Sequence, residues 1–307
     1  MGCCCEWRAP KPLRYVLPCM IVGLIMYLYC SFVTCAQTLV LERGASFLEL
    51  PLFHSLTFLL CWSLVQTLWS RDSFLAQRTL RSEEMKAIAT EMETSRIETK
   101  MNGAVRTCRK CRVLKPDRTH HCNGPSLRLH QQVRAKKEMR TLHVTFNAVS
   151  TGNRCIGYFN YKFFVQFLGW SAATCLYQSS LLFRYVLAES LDRAGTLYMF
   201  GKLGFFNLHL QIVSVFFTSA CVGIALGCFY LMHLYFVANN YSTLEYCEKR
   251  DDPDYINYYN VGLGYNFQEV FGTYWELPYW FVPLHSPSIR KRDGNYFPLN
   301  KHFIKIE

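Results

Sequence analysis

Cys108-Arg109-Lys110-Cys111, then Lys115-Pro116-Asp117-Arg118-Thr119-His120-His121-Cys122, then Gly152-Asn153-Arg154-Cys155-Ile156-Gly157-Tyr158-Phe159-Asn160-Tyr161-Lys162-Phe163-Phe164: these stretches decide how the chain is read. Two cysteines separated by two residues can turn both thiolates toward one ion. A His-Cys pair follows Cys111 after nine residues, which is metal-knuckle spacing. Between Cys122 and Cys155 there is no cysteine at all. One reading of the cluster is a single metal site made of Cys108, Cys111, Cys122 and His120 or His121. The plainer alternative is four reduced cysteines without a ligand.

The material around this cluster is apolar. The chain has 307 residues, 51% of them hydrophobic, with 23 Phe and 19 Tyr, which excludes a disordered protein. Four segments approach or exceed the roughly 20 apolar residues that a helix needs to cross a bilayer. They are Tyr15 to Cys35, Pro51 to Trp69, Phe163 to Leu187 and Leu210 to Val237. Only the third carries a charge, Arg184, close enough to its end to snorkel. The expectation is therefore an all-α polytopic membrane protein of four transmembrane helices, with a cytosolic cysteine-rich zinc-binding domain between helices 2 and 3. A buried core helix in a soluble protein is the alternative for any one segment, and four together argue against it.

Charge orients the chain. The net charge is +11. The loop 71–162 alone holds nineteen Lys/Arg against eight Asp/Glu, so it accounts for the whole excess. A basic block suits nucleic acid or an anionic membrane surface, and flanking spans favour the membrane. Basic loops stay cytoplasmic. The expected organisation is a cytosolic arm (1–14), helices 1 and 2 (15–70), the cytosolic loop with the disrupted cysteine-rich domain (71–162), helices 3 and 4 (163–237) and a cytosolic C-terminal arm (238–307). Phe74 to Met101 reads as a polar helix prolonging the second span. The 15 cysteines do not form the spaced framework of a secreted disulfide scaffold. Several sit in the apolar segments, where a thiol packs as a small hydrophobe.

Both halves of the interrupted motif resemble the cysteine-rich domain of the Asp-His-His-Cys protein S-acyltransferases, the palmitoyltransferases. Further matches follow in order. Asn240-Tyr241-Ser242-Thr243-Leu244-Glu245, directly after the last span, is similar to the family's Thr-Thr-x-Glu motif, with Ser242 in place of the first Thr and with Thr243 and Glu245 retained. Leu263 to Gly272, with Asn266, followed by Tyr279-Trp280-Phe281-Val282-Pro283, resembles the family's C-terminal Asn and Val-Phe-Gly element. The Asp-Pro-Gly that the family keeps after the second span is absent; Arg71-Asp72-Ser73 stands there. The resemblance covers the chain except 123–151.

What the resemblance implies is protein S-palmitoylation. An acyl group from palmitoyl-CoA passes through an acyl-enzyme to cysteine thiols of target proteins, with structural zinc as cofactor. The partners are then membrane lipid, palmitoyl-CoA and cysteine-containing substrate proteins, and not nucleic acid. The location is an endomembrane (Golgi or endoplasmic reticulum) or the plasma membrane, with both termini cytosolic. The metal ligands carried over are Cys108, Cys111, His121, Cys122 and Cys155. Pro125 and Arg128 stand where two more zinc cysteines belong. No catalytic tetrad is intact. A thiolate nucleophile beside a His and an Asp is what the chemistry needs, and 123–151 offers only His130 and His143, each in a basic context without a cysteine.

The genetic code offers one account of the gap. Asn123-Gly124-Pro125-Ser126-Leu127 can be encoded so that a reading frame shifted by one base spells Met-Asp-His-His-Cys. Continuing through Val133, the same frame places another cysteine six residues on. This account is a skipped segment, a frame slip and read-through to about Gly152. The other account is a divergent insertion and a catalytically dead membrane scaffold. A zinc-binding channel or transporter is disfavoured by the lack of intramembrane charge. Separately, Met1-Gly2-Cys3-Cys4-Cys5 invites acylation of Cys3, Cys4 and Cys5, while Glu6 departs from the myristoylation pattern.

Overall fold

The structure, a computed structural model, describes residues 13–43, 48–70, 74–75, 118, 142–143, 147–151, 154–192, 208–249, 255–291 and 297–300. Helices dominate. Four are long: α1 (Leu13–Arg43), α2 (Glu49–Trp69), α3 (Tyr161–Asp192) and α4 (Leu208–Ala238). Short strands β1 (Phe74–Leu75) and β2 (Leu142–His143) pair antiparallel, as do β3 (Asn147–Thr151) and β4 (Arg154–Ile156). After α4 come α5 (Thr243–Lys249), α6 (Leu263–Phe271), a 3₁₀ turn (Tyr274–Glu276), α7 (Leu277–Phe281) and α8 (Pro287–Arg290).

Among the described residues, three helices are long and apolar enough to cross a membrane: α1 through Cys19–Ala36, α2 through Glu49–Trp69 and α4 through Leu210–Ala238. α3 matches them in length at 32 residues but is more polar, with Gln166, Gln178 and Arg184 in its sequence. The expectation that Phe74 continues a helix from the second span is corrected. α2 stops at Trp69, and Phe74–Leu75 is a strand against Leu142–His143. The rest of that segment, 76–101, lies outside the described residues.

The chain divides into two compact units. One comprises Val16–Leu64 and Val165–Leu234. Its core gathers Leu28, Phe32 and Cys35 of α1, Phe53 of α2, Cys175 and Leu182 of α3, and Ile212 and Val215 of α4. Phe32 and Phe53 meet at 4.3 Å between ring centroids. The buried Gln178 is matched to backbone, donating from Nε2 to the Leu28 carbonyl at 3.2 Å. Glycine lets α3 and α4 approach closely. A Cβ added at Gly223 meets Cys175 and Leu176 at 3.1 Å, the small-residue contact that helices use where lipid removes any hydrophobic drive between them. The outward residues are also apolar: Met20, Phe58, Phe217, Ile224 and Leu231 are all exposed. Helices apolar on every side belong in a membrane, and the chain is a membrane protein.

The other unit comprises Met1–Tyr15, Val65–Phe164 and Tyr235–Glu307. Its described part holds β1 to β4, the outer ends of α2, α3 and α4, and the short helices of the C-terminal arm. Side chains from separate sequence segments lock this unit together.

Candidate functional site

α4 ends in a way its sequence dictates. Asn240 takes φ +51, in the left-handed region that Asn tolerates better than most residues. Its N–H bonds the Val237 carbonyl at 3.1 Å, and the Tyr241 N–H bonds the Phe236 carbonyl at 2.8 Å. This pair of bonds is the Schellman termination, which satisfies carbonyls that a helix end would otherwise leave open. Two residues later the chain starts α5 with a reciprocal cap. The Glu245 N–H donates to Ser242 Oγ at 3.2 Å, and the Ser242 N–H donates to Glu245 Oε2 at 2.7 Å. Ser-x-x-Glu is a capping box. Serine where the family has threonine supplies the same hydroxyl acceptor, so the substitution at Ser242 keeps the local function. Thr243 opens the helix.

Arg118 closes this turn. It is the single described residue of the Lys-Pro-x-Arg stretch and is 1% exposed. Nε and Nη2 donate to the two carboxylate oxygens of Glu245, both at 2.9 Å. Nη1 donates to Asn240 Oδ1 at 2.9 Å and Nη2 to the Asn240 carbonyl at 2.8 Å. The guanidinium lies 4.6 Å from the Tyr259 ring centroid and 5.1 Å from that of Phe297. A planar fork satisfied at one carboxylate, one amide and two aromatic faces is a role lysine cannot copy. Burial alone pushes the Glu245 carboxyl up. The Arg118 charge and the hydrogen bonds from Arg118 and Ser242 outweigh burial and hold it below its ordinary value.

Asn266 ties the next segment to the same helix end. Its Nδ2 donates to the Ala238 carbonyl at 2.7 Å and to Asn260 Oδ1 at 2.8 Å, and its Oδ1 accepts the Val261 N–H at 3.2 Å. It is 1% exposed. Asn240 reaches the same region by donating Nδ2 to the Tyr259 carbonyl at 2.8 Å. The motif residues Ser242, Glu245 and Asn266 thus converge on the last turn of α4.

At the other edge of the unit, Asn160 accepts the Gly157 N–H at 2.6 Å and donates to the Thr67 carbonyl at 3.3 Å. This fixes the start of α3 against the end of α2. Lys162 donates Nζ to the Leu284 carbonyl at 2.7 Å. Burial pulls its ammonium down to about 8, with the Glu276 carboxylate partly offsetting the shift. Tyr158 OH donates to Glu269 Oε1 at 3.2 Å.

Of the sequence-predicted metal ligands, Cys155 lies on β4, with its backbone opposite Ser150. Cys108, Cys111, His121 and Cys122 lie outside the described residues, as do Cys3, Cys4 and Cys5. Among the described residues, no three His, Cys, Asp or Glu side chains come together as a metal group. Sequence reasoning quoted Arg118 as part of a spacing pattern and missed its role. It also missed Tyr259, Phe297, Lys162 and Glu269. Asn240 was legible, since an Asn directly after an apolar span is a C-cap signal.

Comparison with known proteins agrees with these motifs. The family model described as DHHC palmitoyltransferase matches residues 151–250, beginning where the cysteine-free stretch ends. Palmitoyltransferase ZDHHC15 of Rattus norvegicus is 27% identical over 316 aligned residues, covering 96% of this chain and 84% of that protein. Palmitoyltransferase ZDHHC2 of Danio rerio is 28% identical over 313 residues, covering 95% of this chain and 78% of its own length. Palmitoyltransferase ZDHHC20-A of Danio rerio is 26% identical, covering 84% and 70%. Along nearly its whole length, and with Ser242, Glu245 and Asn266 built into one helix end, this chain is similar to the DHHC palmitoyltransferases.

Proposed function

We propose that the chain is the four-span membrane framework of a protein S-palmitoyltransferase, and that as written it lacks the nucleophile. The reaction this framework serves has two steps. A cysteine thiolate attacks the thioester carbonyl of palmitoyl-CoA and expels the CoA thiolate, which takes up a proton. A substrate cysteine, losing its proton, then attacks the new thioester and frees the enzyme thiol. The observation that carries the framework reading is the Arg118–Glu245–Asn240 lock. It joins the cysteine-rich segment to the Ser-Thr-x-Glu turn and so maintains the relation between those parts even without the tetrad. The observation that carries the non-catalytic reading is the absence of cysteine between Cys122 and Cys155. Palmitate labelling of the chain as written and of a frame-restored version separates the two.

The domain boundaries proposed are those of the charge pattern: spans at 15–70 and 163–237, with both termini and the loop 71–162 cytosolic. Glycosylation acceptor sites placed near Gly44 and Gly195 should be modified, and one near Gly103 should not. Modification at Gly103 overturns this topology.

Zinc fits the donor set in kind. Thiolate and imidazole are the ligands it takes, and bound there it would cross-link the loop. Cys108, Cys111, His121 and Cys122, with Cys155, are the residues that would hold it. Cys108, Cys111 and His121 would serve one zinc and Cys122 with Cys155 a second, so each tetrahedral site is short of ligands. The purified chain should therefore hold fewer than two zinc ions, and any second ion should leave with a mild chelator. Metal analysis returning two tightly held ions per chain would show that residues 123–151 supply the missing ligands.

A further inference from the structure

The last four described residues, Phe297-Pro298-Leu299-Asn300, come back onto the Arg118 lock. Pro298 makes this segment stiff. It fixes its own φ, has no N–H to satisfy and steers Phe297 to extended backbone. Asn300 fastens one end. Its N–H donates to the Tyr258 carbonyl at 2.8 Å and its Nδ2 to the Asn260 carbonyl at 2.7 Å. Phe297, 5% exposed, fastens the other. Its ring meets Tyr158 edge-on at 6.0 Å and Tyr259 edge-on at 6.2 Å, and lies 5.1 Å from the Arg118 guanidinium.

The surface that receives this segment is fixed by other bonds. The Tyr259 carbonyl accepts Asn240 Nδ2 at 2.8 Å, and Asn260 Oδ1 accepts Asn266 Nδ2 at 2.8 Å. Asn257 donates Nδ2 to the Asn239 carbonyl at 2.7 Å. The stretch 257–260 is therefore a rail held to the end of α4, and its Tyr258 and Asn260 carbonyls receive Asn300. Tyr158, held by Glu269, and Tyr259 wall the notch that Phe297 enters. The fully buried Arg118 side chain lies at its base, so Phe297 is part of what covers the guanidinium.

We infer that residues 297–300 are a peptide ligand bound in cis: a detachable strap, docked in the notch of Tyr158, Tyr259 and the 258–260 backbone, that keeps water off the Arg118–Glu245 pair. The site takes an extended aromatic-proline segment with an amide side chain two residues after the proline. Main-chain carbonyls hold the amide and the notch selects the ring, the division of labour by which extended peptides are commonly bound. Attraction between charges weakens as water enters. Release of the strap would therefore loosen the joint between the cysteine-rich segment and the Ser-Thr-x-Glu turn, and the C-terminal segment is a point of control over that joint. The strap rests on the geometry of the lock and on no step of palmitate chemistry.

Hydrogen exchange of the full chain in lipid nanodiscs tests this. The reporters are the N–H groups of Ser242, Glu245 and Tyr246, which donate to Glu245 Oε2, Ser242 Oγ and the Ser242 carbonyl. Phe297→Leu keeps bulk and loses the ring. It should speed exchange at the reporters about tenfold while α2 exchanges as in the wild type. Phe297→Tyr keeps the ring and should lie closer to the wild type than to Phe297→Leu. In an Arg118→Leu background, Phe297→Leu should add nothing at the reporters, since the pair it shields is gone. A chain ended after Tyr296 should exchange as Phe297→Leu does. A synthetic peptide of residues 296–301 should restore its protection, and the same peptide carrying Phe297→Ala should not. Unchanged reporters in Phe297→Leu overturn the strap. Faster exchange in α2 as well assigns Phe297 to general stability and overturns it too. Equal protection by both peptides, or none by either, overturns the notch as a peptide site.

Discussion

With Cys3, Cys4 and Cys5 changed to Ala, the chain as written should incorporate no hydroxylamine-sensitive palmitate from palmitoyl-CoA. The physical reason is the missing atom. A thioester on the enzyme needs a cysteine sulfur, and 123–151 has none. Cys108, Cys111, Cys122 and Cys155 remain in the loop, but in the family's pattern they are zinc ligands, and a metal-bound thiolate is committed to the ion. In a second version, the segment after Cys122 is read one base later, giving Asp-His-His-Cys and the cysteine six residues on. That version should self-acylate if its metal knuckles fold. The two versions should differ by the whole signal. Any palmitate on the unaltered chain when the N-terminal cysteines are present should map to Cys3, Cys4 or Cys5 and should require another enzyme. Labelling within 107–162 of the chain as written would reveal a nucleophile that neither the sequence nor the fold anticipates. Transcripts with no alternative reading across Cys122 to Cys155 would leave the non-catalytic framework as the better account.

Arg118→Leu should destabilise the protein by about 3–5 kcal/mol, the usual result of removing one member of a buried ion pair. Glu245, 8% exposed, would lose two charge-assisted bonds and keep its burial. Asn240 would lose both of its Arg118 contacts at the turn that ends α4. For a domain of this size the temperature of half-loss of the monodisperse species should fall by roughly 10 °C. Arg118→Lys should recover only part of this, because one ammonium cannot address the carboxylate, the Asn240 amide and the Asn240 carbonyl together. Arg118→Leu combined with Glu245→Leu should be less damaging than the single change, since no buried charge is left alone. If Arg118→Leu melts with the wild type, the lock does not hold the unit together.

The same pair sets an acid limit. Glu245 has its folded-state pKa below its unfolded value. Its contribution is complete above the ordinary carboxylate range and is lost as pH falls through the lowered folded value. Acid should therefore loosen the wild type more steeply than Arg118→Leu, in which the carboxyl is no longer held charged.

Much of this protein is settled by local pattern. Runs such as Leu210 to Val237 fix membrane helices because lipid offers no partner for a backbone polar group, so only a helix can satisfy one there. The basic loop gives the proposed orientation by the same one-dimensional logic. Ser242 and Glu245 form a capping box from their three-residue spacing alone, and Asn240 ends α4 because of its own tolerance of positive φ. The absence of a nucleophile is likewise a statement about composition. Phe74 shows where local pattern fails: a mixed-charge stretch read as helix begins instead as a strand, since its partner, Leu142–His143, is far away in sequence. Arg118 shows it more plainly. Nothing in Lys-Pro-x-Arg says that its guanidinium is buried, because Asn240, Glu245, Tyr259 and Phe297 are more than a hundred residues further on. The ties from Asn266 to Ala238 and from Lys162 to Leu284 are also long-range. Sequence alone determined the long helices, the caps and the lack of cysteine between Cys122 and Cys155. Only the tertiary structure decided which polar groups are buried together, because that depends on which distant segments share a site and exclude water from it.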